Sequence, residues 1–246
     1  MQAFKRSLLA LAVFVGAAGL SVAVQPPQGG RGGFGGGGVA ALVKSKTVIA
    51  DVKITDEQQG KLKDWSKDFA AKSQEMMKAA MEGVDFQDRK AMMEKMPAAQ
   101  AEISKAAYKE LADVLKPGQV KRLKQIEVQV AGVRAFNQAD VKSALKITDD
   151  QEAKIKDAAE AGMKDGRDLN EEYGVKGFGG RPDDAGKAKE FDKKRAAITK
   201  EIMTKVMGTM SADQKKSWAE LTGEPIDVSK VQAESMGGFR PKRKDV

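Results

Sequence analysis

Six of the twelve methionines lie within 21 consecutive positions: Met76, Met77, Met81, Met92, Met93 and Met96. A thioether is a soft ligand that suits Cu(I), and it is also flexible and polarizable enough to fit varied apolar partners. Packing between helices is the plainest use of such a cluster. Client binding through Met76, Met77, Met92, Met93 and Met96 comes next, and copper last, because a metal-handling chain would be expected to use histidine as well. The working expectation is therefore no metal and no cofactor.

Three other stretches carry groups able to do chemistry. Asp165, Asp168, Asn170, Glu171 and Glu172 form an acidic run, but their spacing lacks the alternating ligands and central glycine of an EF-hand. Gly177-Phe178-Gly179-Gly180-Arg181-Pro182 lacks the Lys-Ser/Thr that completes a phosphate loop. It reads as a tip that can touch a client through Phe178 and Arg181. Lys121, Arg122, Lys124, Arg134, Lys187, Lys189, Lys193, Lys194 and Arg195 can line a basic face, although acids are interspersed among them.

The chain has no cysteine and no histidine. That removes disulfides, Cys/His zinc sites, thiol nucleophiles and imidazole acid-base chemistry together. Nothing places two carboxylates in an evident cleft, so an enzyme is not expected. The formal net charge is +8, of which Lys5 and Arg6 supply two. So modest and mixed an excess favours a solvated surface over nucleic-acid binding.

The elements that must position these groups are announced by four boxes. Ile54-Thr55-Asp56-Glu57-Gln58, Leu115-Lys116-Pro117-Gly118-Gln119, Ile147-Thr148-Asp149-Asp150-Gln151 and Met210-Ser211-Ala212-Asp213-Gln214 each place a glutamine four residues after an apolar residue. A Thr or Ser followed three residues later by Gln is a capping box, in which hydroxyl and amide satisfy each other's backbone N–H. Lys116 breaks the pattern in the second box, where Pro117 suits the first helical position. Boxes one and two start 61 residues apart, and boxes three and four 63 apart, so one arrangement occurs twice.

Between the first paired boxes the outgoing apolar residues Leu62, Trp65, Phe69 and Met76 recur at three, four or seven positions, and Ile103, Tyr108 and Leu111 follow on the returning segment. The midpoints of the pairs fall at Gly83-Val84-Asp85 and within 174–180. Each copy is thus expected to be an antiparallel helical hairpin with arms of about 28 residues, or roughly 40 Å at 1.5 Å per residue. Asp85 is expected to cap the first return arm, which Pro97 should kink. No alternating strand pattern occurs, so the expected fold is all-α: two tandem hairpins joined by short helices.

Lys5 and Arg6 precede an apolar run from Leu8 to Leu20 and then Ser21-Val22-Ala23, the pattern of a secretory signal cut after Ala23. The expected divisions are a signal at 1–23, a Gly/Pro-rich disordered linker at 24–41, hairpin repeats at 42–135 and 136–225, and a loose basic tail at 226–246. No later segment is apolar enough to span a membrane. The expected location is periplasmic or secreted.

Paired Leu-Thr-x-x-Gln boxes in a short exported helical chain resemble the Spy/CpxP-like periplasmic family. Ile54 to Gln58 and Ile147 to Gln151 match with Ile for Leu, Met210 to Gln214 more loosely, and Leu115 to Gln119 only at its ends. The resemblance implies an ATP-independent chaperone or envelope-stress adaptor, a thin helical dimer that holds unfolded polypeptide on a concave surface. Two box pairs in one chain suggest that a monomer imitates such a dimer, with a homodimer as the alternative. A structural or regulatory envelope protein with one specific partner is the rival expectation.

Overall fold

The computed structural model describes residues 38–85, 88–175 and 180–235, with the backbone alone at 89, 90 and 92–94. Among the described residues ten α-helices are formed: α1 (Val39–Leu42), α2 (Lys46–Val52), α3 (Asp56–Ala80), α4 (Arg89–Leu111), α5 (Pro117–Ala131), α6 (Ala139–Leu145), α7 (Asp149–Glu172), α8 (Ala185–Gly208), α9 (Ala212–Thr222) and α10 (Val228–Ser235). A 3₁₀ segment, Gly132–Asn137, joins α5 to α6. Among the described residues there is no strand, so the fold is all-α.

The boxes start helices α3, α5, α7 and α9 for the expected reason. Thr55, Thr148 and Ser211 each accept from the N–H three residues on, and Gln58, Gln151 and Gln214 accept from the cap's own N–H. At the second box only the return half survives: Lys116 N–H donates to Gln119 Oε1 at 2.9 Å, since an ammonium has no lone pair to offer.

The long helices pair with opposite chain directions. Gly162 of α7 lies against Ile202 of α8, Glu172 meets Lys194, and Tyr173 packs edge-on against Phe191. Along α3 and α4, Trp65 Nε1 donates to Glu110 at 2.9 Å and Lys72 reaches the same carboxylate. These helices run 23 to 25 residues, about 36 Å, slightly short of the expected arms. Helix α4 continues through Pro97, and its cap is Asp88, which accepts from Ala91 N–H at 3.0 Å, in place of the expected Asp85.

The duplication extends further upstream than the boxes show. Helices α2 and α6 occupy positions 93 residues apart, end on lysines Lys53 and Lys146 with positive φ of 56° and 51°, and are preceded by α1 and by the 3₁₀ segment respectively. The expected break between 135 and 136 therefore falls inside the 3₁₀ segment, and the second copy opens near Gly132.

Two large buried clusters result, one per copy. The first gathers Val48, Leu62, Phe69, Leu111, Leu123 and Ile126; the second gathers Phe136, Val141, Ile155, Ile202, Val206 and Trp218. Phe136 stacks on Trp218 at 4.5 Å between ring centroids. The copies meet through α5 and α9. Gln125 Nε2 donates to Glu220 O at 3.0 Å, while Gln129 donates to Thr222 O and Glu224 O and accepts from Ile226 N–H. Residues 125 and 220, like 129 and 224, are 95 apart, the same offset as boxes two and four.

Helices enter both of the segments expected to be disordered. Val39 and Ala41, assigned to the linker, are buried in α1. Residues 228–235, assigned to the loose tail, form α10, with Val228 and Val231 buried. The apolar residues Ile226 and Val231 outweigh the polar composition around them, because they join the first cluster. The expected signal, the rest of the expected linker and the basic stretch from Phe239 onward lie outside the described residues.

Candidate functional site

The glutamines of paired boxes do more than cap. Gln58 Nε2 donates to Gln119 Oε1 at 2.8 Å and to Val114 O at 2.9 Å. Gln119 Nε2 returns a bond to Gln58 Oε1 at 3.1 Å and reaches Lys53 O at 2.9 Å. The second copy repeats this set. Gln151 Nε2 bonds Gln214 Oε1 and Thr209 O, and Gln214 Nε2 bonds Gln151 Oε1 and Leu145 O, at 2.8 to 3.0 Å. Each amide oxygen therefore accepts from a cap N–H and from its partner amide, and each nitrogen holds a carbonyl at the end of the segment before the other box.

This network closes the base of each helix pair. It fixes where the outgoing arm starts relative to where the returning arm ends, and Ile54, Leu115 and Met210 are buried beneath it with Ile147 packed against the second cluster. The left-handed Lys53 and Lys146 aim the carbonyls that the network uses. Non-glycine residues in that conformation are uncommon, and the repeat of the same choice in both copies marks it as part of the device.

The outer part of the first pair holds a separate small cluster: Met77, Met81, Val84 and Ala99, with Ala91 and Ile103 against it. Met77 is thus buried, and Met76 and Met96 are half-buried. A turn centred between Val84 and Asp85 sets Met77 opposite Met92 and Met76 opposite Met93 in the sequence, and the side chains of Met92 and Met93 lie outside the described residues. Met81 and Val84 complete the cluster, and the turn midpoint at Val84 was the signal for them.

At the outer end of the second pair, Phe178 lies outside the described residues. Arg181 is exposed and pairs with Asp192. Lys194 lies over the Tyr173 ring, 5.0 Å from its centroid, and its bond to Glu172 raises its pKa. Midway along α7, Met163 is 43% exposed, the one large hydrophobic side chain so exposed among the described residues.

The junction of α4 and α5 holds the most perturbed groups. Tyr108 Oη donates to Glu127 Oε2 at 2.8 Å, with Lys124 over the tyrosine ring. Burial pushes the Glu127 carboxyl above the usual carboxylate range, and the same burial together with Glu127 raises Tyr108. Close by, Ala112, Leu115, Pro117, Val120, Lys121 and Lys124 line an open depression of about 420 Å³. Among the described residues no three His, Cys, Asp or Glu side chains are grouped to hold a metal, and no helix is long and apolar enough to cross a membrane.

The chain matches no family model, no curated protein and no solved structure.

Proposed function

We propose that this chain is an exported, ATP-independent, chaperone-like protein that holds unfolded or apolar polypeptide segments on the outer surfaces of its two helical hairpins. The observation that carries this reading is the contrast along the first pair. Polar bolts and a large core fix the base, while among the described residues the outer part of the first pair holds a small methionine-containing cluster. Flexible thioethers on a thin two-helix layer suit apolar partners of varied shape. The contact between equivalent positions of the two copies supports one chain doing the work of a two-chain cradle.

Suppression of aggregation of two unrelated chemically unfolded proteins tests the reading. Activity toward both is expected at near-stoichiometric ratios, and replacement of Met76 and Met96 by glutamine should weaken it several-fold. Activity toward neither overturns it. The fixed geometry of the bases also favours a second reading, a structural or regulatory envelope protein that fits one partner. A single species retained in a pull-down, with no suppression of aggregation, selects that reading. Export is checked by N-terminal sequencing of the secreted chain, expected to begin after Ala23.

A further inference from the structure

Helix α10 closes the first copy from the far end of the described chain. It has eight residues, and it packs on α1, α2 and α5 with Val231 fully buried and Ile226 beside it in the first cluster. Its Glu234 carboxylate accepts from Ser45 Oγ at 2.7 Å, from Thr47 N–H at 2.8 Å and from Thr47 Oγ1 at 3.2 Å. So short a helix has no stability of its own, and its fold depends on the surface that receives it. Its connection to α9 contains Gly223, with φ of 61°, and Pro225, and is held by Gln129.

The second copy treats the same positions differently. There α5, fixed at both ends, supplies Val128 and Ala131 to the second cluster, and Asp140, the counterpart of Thr47, bonds its own helix at Val141 N–H. The first copy alone relies on a separate terminal helix to fill its groove and on a remote carboxylate to meet Ser45 and Thr47.

We infer that the groove formed by α1, α2 and α5 is a binding site for a short amphipathic helix, and that α10 occupies it as a tethered self-ligand. The occupant is a polypeptide segment with the chemistry of α10: two aliphatic residues three positions apart and a carboxylate three positions beyond the second. Displacement of α10 exposes the apolar wall around Val48, Leu123 and Ile126 to such a segment. This deepens the proposed function by naming where on the chain one class of segment binds, and it rests on that reading.

The experiment uses the full chain and a fluorescent peptide spanning residues 224–235. A Val231→Ala/Glu234→Gln chain loosens its own α10 while leaving the groove intact, and it should bind the peptide saturably and at least tenfold more tightly than the wild-type chain does. A peptide carrying Val231→Asp should bind at least tenfold more weakly to the same chain. Equal binding by both chains, or no saturable binding by a folded variant, overturns the inference. Should the variant not fold, hydrogen exchange of the wild-type chain decides: amides of α10 at least tenfold faster than those of α5, and faster still with excess peptide, support displacement, whereas α10 amides as slow as α5 overturn it. Loss of peptide binding with aggregation suppression intact removes the groove alone. Peptide binding without suppression removes the chaperone reading and leaves the groove.

Discussion

Phe69 in the first copy corresponds to Gly162 in the second, 93 residues on, and Ala107 corresponds to Ile202, 95 residues on. The two pairs carry bulk on opposite helices. Phe69 and Ala107 are buried in one cluster, and a Cβ placed on Gly162 would overlap the Ile202 side chain. Volume at the crossing is thus kept while its source is exchanged, as close packing requires. Polar bonds near the junction differ in the same spirit. Tyr108, Glu127 and Ser104 form a hydrogen-bonded group in the first copy, and their counterparts Met203, Thr222 and Thr199 are buried in the second. What stays constant is the glutamine network and the left-handed lysine before it. The comparison teaches that the bases define the repeat and that the arms and junctions are free to drift.

The largest expected effect comes from the exchanged bulk. Phe69→Ala should destabilise by about 3 to 5 kcal/mol in denaturant unfolding, from lost burial plus the cavity. Gly162→Ala should cost about 1 to 3 kcal/mol by overpacking. Combined with Ile202→Ala, it should cost less than the two single changes together by about 1 kcal/mol or more. Additive costs would mean that the bulk is not exchanged across this crossing.

Removal of one glutamine from each base comes next. Gln58→Ala and Gln151→Ala should each cost about 2 kcal/mol, as several bonds of roughly 0.5 to 1.5 kcal/mol are lost. In each copy the second glutamine should then add little, giving strong coupling in a double-mutant cycle. Unequal losses in the two copies would break their equivalence.

Acid and base should act on the first copy in opposite senses. Thr47 N–H and then Ser45 hold Glu234 below the usual carboxylate range. Its contribution to docking α10 is present above about pH 4.3, the ordinary glutamate value, and is lost as pH falls through the lower folded value. Burial raises Glu127, so the stability that it favours is present below about pH 4.3 and is lost as pH rises through the raised folded value. Glu127→Gln should therefore leave stability nearly unchanged at pH 4 and raise it at pH 8, read from thermal melts. The second copy lacks both groups and supplies the internal reference.

The smallest effect tests the one imperfect box. Lys116→Ser should restore the missing hydroxyl cap and stabilise by about 0.5 to 1 kcal/mol in the same melts. No gain would show that Pro117 already fixes that helix start.

Much of this frame was legible in the residues. The hydroxyl and glutamine of each box stated where α3, α7 and α9 begin, and the 61- and 63-residue spacings stated that boxes act in pairs. The capping rule assigns only the amide oxygen, however, so the use of the nitrogen to join Gln58 with Gln119 became visible only when both helix starts stood side by side. Helix α10 escaped for another reason: Ile226, Val228 and Val231 are too few to show a period, and their burial depends on a groove built some 180 residues earlier. At the candidate site, Met77 was placed by the turn midpoint, whereas Met92, Met93 and Phe178 fall where no side-chain geometry is described.

The glutamine bolts have a last consequence, for how such a chain can change. Because the amides register the two ends of an excursion, they record nothing of its length, and the two copies already differ by two residues between bolts. Matched removal of two helical turns from α3 and α4 would leave every bond at the base in place. Reach is thereby an adjustable dimension of this fold, set by the arms and independent of the joint that holds them.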